Sequence, residues 1–285
     1  MKKFIIGVLV FCVARGGWQI WKNNPITYAV GGMREVKYLI QQETAGYRPE
    51  DVLCCLDIDD TLIQLDYPPL SSRSFQKHKK IFQSLQKRYC PHVPESILYF
   101  MLCAQVSSHV HLADYFLSIR HLLPSQTIAF TASGTETCLG QAITTLRYEE
   151  LKRLGISFEE AFPFSSRSID SITFENGTHP EYYRGILFSS PRLQGTGSKG
   201  AVLCAFLKTL PHLPKCVLLV DDHQTNIHTV QQSLHQQFPH IRYIGIWYNP
   251  TAKLMSYPVS QKEFTSSIEA LLKKLFPPSQ KEQTL

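Results

Sequence analysis

Short, strongly apolar segments alternate with longer amphipathic stretches along the chain, and this alternation constrains the fold more than any other feature. Apolar runs of about four to eight residues, bounded by polar residues, are typical of buried strands. The apolar segments lie at 52–56, 127–130, 216–220 and 242–247, and the helical patterns lie at 71–89, 95–123, 135–154, 198–210, 225–236 and 264–276. Strands that alternate with helices form a mainly parallel sheet with helices on both faces. The sequence therefore predicts an α/β fold.

The composition is typical of a folded globular protein. Of the 285 residues, 44% are hydrophobic and 18% are charged, which excludes a chain too polar to bury a core. The length suits one large domain, or a core with one sizeable insertion. The net charge of +6 is spread along the chain, so it favours anionic partners only weakly, and no nucleic acid partner is expected. The eight cysteines include no C-x-x-C pair, which predicts neither a zinc site nor a disulfide framework.

The N-terminus has the pattern of an export signal. Lys2 and Lys3 precede an apolar run at 4–13, and small residues surround a possible cleavage point after Ala14. Such a run suits a signal peptide and is short for a membrane helix. We therefore expect a signal peptide at 1–14, a protein exported to the periplasm or cell envelope or secreted, and no stable membrane span after cleavage. A buried N-terminal strand or an uncleaved anchor is the alternative interpretation.

Residues with metal-binding and phosphate-binding chemistry follow the predicted strands. Asp57 and Asp59 come directly after the first strand, Thr131 follows the second, and Asp221 and Asp222 follow the third. Ligands of parallel sheets bind at the carboxyl ends of the strands, so we expect these side chains to lie close together. Clustered carboxylates repel one another unless a hard cation joins them. The pattern therefore predicts a cation site at this edge of the sheet.

Lys199 stands at the start of a predicted helix, where a cation is electrostatically unfavourable. Ser198 is a good N-cap residue, which places Lys199 in the first helical turn. The helix dipole favours anions rather than cations at that end. A bound anion or the nearby carboxylates would offset this effect, and an exposed lysine is the alternative interpretation. Asn226, about one helical turn after Asp221, is a candidate for bracing the acidic pair.

Together these motifs resemble the four motifs of the haloacid dehalogenase superfamily. The family pattern is D-x-D-x-T after an apolar strand, a Thr after the next strand, a Lys, and an Asp-Asp pair after a further strand. The matching positions here are 57–61, Thr131, Lys199 and 221–222, in the same order. The D-I-D-D-T version is most similar to secreted acid phosphatases of the superfamily, and the whole chain is similar to an uncharacterised bacterial branch with signal peptides. The resemblance implies a Rossmann-like core.

The resemblance also implies an activity, namely Mg²⁺-dependent hydrolysis of a small phosphorylated substrate through an aspartyl-phosphate. Asp57 would be the nucleophile. Asp59 would protonate the leaving alcohol and then activate water. Asp222 would be either a further metal ligand or a residue that orients one. The remaining implied roles are Mg²⁺ binding by Asp57, the Asp59 backbone carbonyl and Asp221, and phosphoryl binding by Thr131 and Lys199.

Three other functions remain open from the sequence alone. The segment 195–200 reads G-T-G-S-K-G, and the strand after it ends at Asp221, as in an NAD(P)-binding oxidoreductase. That interpretation leaves Asp57 and Asp59 unexplained. A phosphomutase would use the same motifs as a phosphatase, and a catalytically weak relative would keep them as a binding or envelope protein.

The interval between the first two motifs predicts a helical cap. The stretch from Thr61 to Thr131 is mostly helical by pattern and longer than a simple crossover needs. Two short apolar segments, 172–174 and 185–188, flank an Asn-Gly turn at 176–177 and predict a β-hairpin. The predicted organisation is a lead-in at 15–50, a core at 51–67 and 125–276, a cap over the site at 68–124 and a tail at 277–285.

Overall fold

An eight-stranded, mostly parallel sheet is the centre of the part of the chain that the computed structural model describes, residues 26–65, 67–106, 108–109, 123–138, 141–189, 198–249 and 258–277. In chain order the strands are β1 Ile26–Val30, β2 Val52–Leu56, β3 Gln64–Leu65, β4 Ser108–His109, β5 Gln126–Thr131, β6 Thr137–Cys138, β7 Gln141–Ala142, β8 Ser166–Ser168, β9 Glu181–Tyr183, β10 Ile186–Phe188, β11 Cys216–Asp221 and β12 Arg242–Tyr248. The α-helices are α1 Met33–Thr44, α2 Ser72–Lys77, α3 Lys79–Tyr89, α4 Glu95–Ala104, α5 Ile143–Arg153, α6 Lys199–Thr209, α7 Gln224–Gln237 and α8 Gln261–Leu275.

The strand order of this sheet is β1-β12-β11-β2-β5-β10-β9-β8. In this order, each of the six strands from β1 to β10 is parallel to its neighbour. Strands β9 and β8 then extend the sheet by antiparallel pairing. The neighbours of β2 are β11 on one side and β5 on the other, so the strand order changes direction at β2. This is the α/β, Rossmann-like architecture that the sequence predicts, and the strand ends around β2 are where such sheets bind ligands.

Both faces of the central strands are apolar, because both are covered by helices. Every residue of β2 and of β11 is buried. Along β2, Cys54 and Leu56 pack into one apolar cluster while Leu53 and Cys55 pack into another. The first cluster also includes residues of α1 and α5, and the second includes residues of α6 and α7. This two-sided burial explains why the strands read as continuous apolar runs.

A helical segment, residues 68–106, is inserted between β3 and β4, and we call it the cap segment. β3 and β4 pair as a short antiparallel ribbon at its base. The helices of the cap segment share a separate apolar cluster with α8, in which Phe82 and Leu98 pack together with Phe264 and Leu272. The C-terminal helix, which the sequence analysis assigned to the core, therefore packs on the cap segment.

Three segments differ from the sequence prediction. Residues predicted as a lead-in include β1, which pairs with β12 at the sheet edge, and α1, which packs on the sheet. The predicted helix at 71–89 is broken at His78, whose buried ring contacts the Val259 carbonyl at 2.9 Å and lies against Phe264. Of the helical pattern predicted at 95–123, helix α4 covers Glu95–Ala104 and residues 108–109 form a strand, while 107 and 110–122 lie outside the described residues.

Two local predictions, the helix at 135–154 and the hairpin around 176–177, were wrong in detail. The helix predicted at 135–154 begins only at Ile143, because 137–138 and 141–142 pair as a small hairpin. The hairpin predicted around Asn176-Gly177 is instead formed by β9 and β10. Its turn residues Arg184 and Gly185 have φ values of 46° and 86°, the backbone that a two-residue hairpin turn requires.

Two further expectations concern membrane helices and cysteines. Within the described ranges, no helix combines the length and the apolar character needed to cross a membrane. Among the cysteines whose side chains the structure describes, six are free and buried: Cys54, Cys55, Cys90, Cys103, Cys204 and Cys216. The predicted signal peptide at 1–14 lies outside the described residues, as does the predicted tail beyond 277.

Candidate functional site

Three carboxylates meet at the carboxyl ends of β2 and β11. β2 and β11 are neighbours in register, with Leu56 opposite Val220, and the Asp57 N–H continues this pairing by donating to the Val220 carbonyl at 2.9 Å. Oxygens of Asp57, Asp221 and Asp222 all lie within 4.8 Å of one another. We call these three residues the acidic cluster. The parallel sheet therefore brings together the predicted acidic residues from two distant parts of the sequence.

Lys199 is buried beneath the acidic cluster. Its Nζ lies 2.5 Å from Asp57 Oδ1 and 2.7 Å from Asp221 Oδ2, and the residue is only 1% exposed. Ser198 caps helix α6 by accepting from the Ala201 N–H at 3.3 Å, so the predicted cap holds Lys199 in the first helical turn. Burial disfavours the ammonium, but Asp221 and Asp57 hold the pKa of Lys199 above its usual value. The lysine is thus a fixed positive charge.

Lys199 alone cannot neutralise all three carboxyl groups of the acidic cluster in their ionised forms. Burial raises the pKa of Asp57 to about 7 and the pKa of Asp222 to about 9, and repulsion from the neighbouring carboxylates adds to both shifts. Asp222 Oδ1 is buried and has no hydrogen-bond partner among the described residues. One ammonium can neutralise only one of three ionised carboxylates, and the raised pKa values reflect this imbalance. A divalent cation bound through oxygen ligands fits this donor set.

Asp221 is held in a fixed orientation by its neighbours. The side-chain amide of Asn226 donates to both carboxylate oxygens, at 3.0 Å and 3.1 Å, and the His223 N–H donates to Oδ1 at 2.8 Å. The Trp247 indole donates to the Asp222 carbonyl at 2.9 Å. Asn226 therefore braces Asp221, one of the two residues that the sequence suggested it would brace, whereas the contact of Trp247 was not predicted.

Thr131 lies at the end of β5, next to β2, as expected, but it is buried. Its hydroxyl donates to Ser133 Oγ at 3.1 Å and accepts from the Ser133 N–H at 3.1 Å. The residues of this strand end that line the open space are Ala132, Ser133 and Gly134. Thr131 thus fixes the loop, and Ser133 offers the accessible hydroxyl. Thr61 of the first motif donates to Asp57 Oδ2 at 3.3 Å.

A cavity of about 690 Å³ opens beside the acidic cluster, between the core and the cap segment. Asp57, Asp59 and Asp222 line it on the core side. The cap segment contributes Phe75, Gln76, Lys79, Tyr99 and Phe100. The cap segment therefore covers the strand ends, so a ligand in the cavity would contact carboxylates on one side and aromatic rings on the other.

Asp59 is placed differently from the other predicted residues. Its side chain is 59% exposed, and Oδ2 lies 2.9 Å from Arg147 Nη2 on helix α5. Asp60, directly after it, has a φ of 57°, and its N–H donates to the Ile63 carbonyl at 2.8 Å. This tight turn directs the chain from β2 back towards β3 and leaves Asp59 at the cavity wall.

Arg147 is a further residue of the candidate site that the sequence pattern did not point out. A weak signal for it exists in the sequence. Ile143 and Leu151 stand four residues before and after it, and both are buried, so the helical period places Arg147 on the same inward face. An arginine on the apolar face of a helix needs a buried partner, and here Glu150 Oε2 lies 2.7 Å from Nη1.

The dinucleotide interpretation of 195–200 finds no support in the topology. A dinucleotide-binding βαβ unit has adjacent parallel strands, but β10 and β11, which flank α6, are separated by β5 and β2. Residues 195–197 lie outside the described residues. Gly200 has a packing role, because a Cβ there would lie 2.3 Å from the Thr229 carbonyl oxygen of α7. Asp221, which ends the strand in that interpretation, is bound to Lys199.

One known protein family matches the chain over most of its length. A family model described as "Protein of unknown function (DUF2608)" matches residues 30–275, most of the chain. The chain belongs to this family. The matched residues include the acidic cluster, Lys199, Arg147 and the cap segment. No curated protein matches the chain.

Raising the pH is expected to destabilise the protein in EDTA. The folded-state pKa values of Asp57, about 7, and Asp222, about 9, exceed the value of about 4 in an unfolded chain, so the folded protein binds more protons over this interval. The free energy of unfolding then falls as the pH rises through these values. Thermal unfolding followed by circular dichroism should give a Tm lower by about 3 °C or more at about pH 9 than at about pH 6.

Asp222→Asn should flatten this pH dependence, because it removes the carboxyl with the higher pKa. Asp170→Asn, at an exposed site, is the matched control and should keep the wild-type slope. An Asp222→Asn variant with an unchanged slope would show that the acidic cluster does not set the pH dependence.

Proposed function

We propose that this protein is a Mg²⁺-dependent phosphomonoester hydrolase of the haloacid dehalogenase type, acting through an aspartyl-phosphate on Asp57. The observation that supports the proposal best is the acidic cluster with Lys199 beneath it, at the carboxyl ends of adjacent parallel strands. These are the residues that the motif resemblance names. Both the sequence order and the spatial grouping therefore favour the same chemistry.

In the first step, a carboxylate oxygen of Asp57 attacks the phosphorus of the substrate. The new Asp57–phosphorus bond forms as the bond from phosphorus to the ester oxygen breaks. Asp59 gives its proton to the departing oxygen, which leaves as an alcohol. Lys199 and the Thr61 hydroxyl, bound to opposite oxygens of Asp57, orient the nucleophile.

In the second step, Asp59, now a carboxylate, takes a proton from a water molecule that attacks the phosphorus. The Asp57–phosphorus bond breaks, inorganic phosphate forms, and Asp57 returns to its carboxylate form. Ser133, at the cavity wall, is placed to donate to phosphoryl oxygens, with Thr131 fixing its loop. The cap segment limits the access of bulk water to the reacting groups.

Asp57, Asp221 and Asp222 would hold Mg²⁺, together with the Asp59 backbone carbonyl that the resemblance implies. When bound, Mg²⁺ offsets negative charge on the nucleophile and on the transferring phosphoryl group. The unpartnered Asp222 Oδ1 and the grouping of three carboxyl groups around a single ammonium support this assignment. Export remains part of the proposal on the pattern of residues 1–14 alone.

The test is hydrolysis of 4-nitrophenyl phosphate by the protein with residues 1–14 removed, in Mg²⁺ and in EDTA. We expect turnover in Mg²⁺ and a loss of at least about 100-fold in EDTA, restored by added Mg²⁺. Beryllofluoride, an analogue of the phosphoryl group, should raise the Tm only when Mg²⁺ is present. Folded protein that neither hydrolyses the ester nor responds to beryllofluoride would contradict the proposal. A response to beryllofluoride without turnover would favour the binding-protein alternative.

A further inference from the structure

Arg147 connects three parts of the structure beside the cavity. Its Nη2 lies 2.9 Å from Asp59 Oδ2 and 3.3 Å from Ser133 Oγ, and its Nη1 lies 2.7 Å from Glu150 Oε2. Its guanidinium carbon lies 4.8 Å from the centre of the Phe100 ring in the cap segment. The loop after β2, the loop after β5 and the cap segment therefore converge on this one side chain of helix α5.

The two partners in the ion pair between Arg147 and Asp59 differ sharply in exposure. The Arg147 side chain is 7% exposed, whereas that of Asp59 is 59% exposed. An exposed aspartate on a loop has several rotamers available, and a bond to a buried, immobile donor selects one of them. Arg147 is thus the rigid partner, and Asp59 is the group whose position it determines.

Arg147 makes more hydrogen bonds than the neutralisation of its charge requires. Glu150, also buried, already neutralises the guanidinium on its own helix. The Nε of Arg147 is buried without a hydrogen-bond partner among the described residues, and such an unpaired donor is unfavourable. The orientation that leaves Nε unpaired is the one that directs Nη2 to Asp59.

We propose that Arg147 is a positioning residue, which holds Asp59 for proton transfer to the leaving group, and that Phe100 fixes the guanidinium from the cap side. This inference rests on the proposed function. Arg147 bonds Oδ2 of Asp59, which leaves Oδ1 as the oxygen that transfers the proton. As the bond between phosphorus and the ester oxygen breaks, this proton moves from Oδ1 to the departing oxygen.

The leaving group distinguishes positioning of an acid from a general structural role. An alkoxide is strongly basic and leaves only with a proton, whereas 4-nitrophenolate is stable without one. Misplacing Asp59 should therefore slow the first step for an alkyl phosphate far more than for 4-nitrophenyl phosphate. A variant that is simply less well folded would lose activity on both esters by the same factor.

The experiment compares kcat/KM for butyl phosphate and for 4-nitrophenyl phosphate in Mg²⁺. For Arg147→Met, we expect a fall of about 100-fold on the alkyl ester and less than about fivefold on the aryl ester. Arg147→Lys keeps the charge without the planar fork and should recover part of the loss. Arg153→Met, exposed on the same helix, is the matched control and should leave both values unchanged.

Two further variants keep the test decisive. Arg147→Met leaves Glu150 buried without its partner, so the double variant with Glu150→Gln removes both charges and should show the same selective loss. Phe100→Leu should show the selective loss at about one tenth of its size. Equal losses on both esters, in variants with wild-type circular dichroism spectra, would overturn the positioning role alone. Wild-type protein that hydrolyses neither ester would contradict the proposed function as well.

Discussion

Asp57→Asn is expected to lower the Mg²⁺-dependent hydrolysis of 4-nitrophenyl phosphate by at least about 10⁴-fold while keeping or raising the Tm in EDTA. Activity falls because an amide oxygen is a poor nucleophile and cannot form the aspartyl-phosphate. Stability does not fall, because burial and the neighbouring carboxylates raise the pKa of Asp57 to about 7, so its ionised form is unfavourable in the fold. Asparagine keeps the shape and still accepts from Lys199.

Steady-state kinetics and thermal unfolding of the same preparation measure both effects of Asp57→Asn. Asp170→Asn is the matched control, since it removes an exposed carboxylate and should change neither quantity. A variant that kept more than about a tenth of wild-type activity would exclude Asp57 as the nucleophile. A marked fall in Tm at alkaline pH would show that the Asp57 carboxylate is a net stabilising group.

Lys199→Met is expected to destabilise the metal-free protein by about 3–5 kcal/mol. The ammonium lies within 2.7 Å of carboxylate oxygens of both Asp57 and Asp221, and nothing else of positive charge is bonded to these two among the described residues. Methionine has a similar length, so the loss measures charge rather than a cavity. The Tm should fall by about 10 °C in EDTA, as followed by circular dichroism.

Two comparisons separate the charge of Lys199 from other effects. Lys208→Met alters an exposed lysine in the last turn of the same helix, whose side chain contacts Gln237, and should shift the Tm little. Combining Lys199→Met with Asp221→Asn should recover part of the lost stability, because fewer buried carboxylates are left without a partner. A stable Lys199→Met variant with no recovery in the double variant would show that this ion pair does not stabilise the fold.

The parts of the fold that depend on local patterns could be predicted from the sequence. Segments 52–56 and 216–220 are apolar throughout because helices cover both faces of the sheet, and that burial is visible as uninterrupted hydrophobic runs. Asp57, Asp221 and Lys199 could be assigned to one site because strand ends and helix starts meet at the same edge of a parallel sheet. Ser198 signalled the start of α6 through its capping chemistry.

The parts that depend on contacts distant in sequence could not be predicted in this way. β1 joins the sheet only through its register with β12, some two hundred residues later, and its own segment is too short to indicate a partner. Helix α8 packs on the cap segment because Phe264 and Leu272 meet apolar residues there, whereas its amphipathic pattern suits any apolar surface. A helical period shows which face is buried but does not identify what buries it.

The same distinction applies to the site. The sequence by itself determined an α/β sheet with carboxylates after its strands and a lysine at a helix start, because burial periodicity and capping act over a few residues. Only the tertiary structure decided that Asp222 carries an unpartnered buried oxygen, that Thr131 lies beneath Ser133, and that Arg147 binds Asp59. Burial, charge balance and hydrogen bonding between separate segments are properties of the packed chain, since they exist only once those segments are in contact.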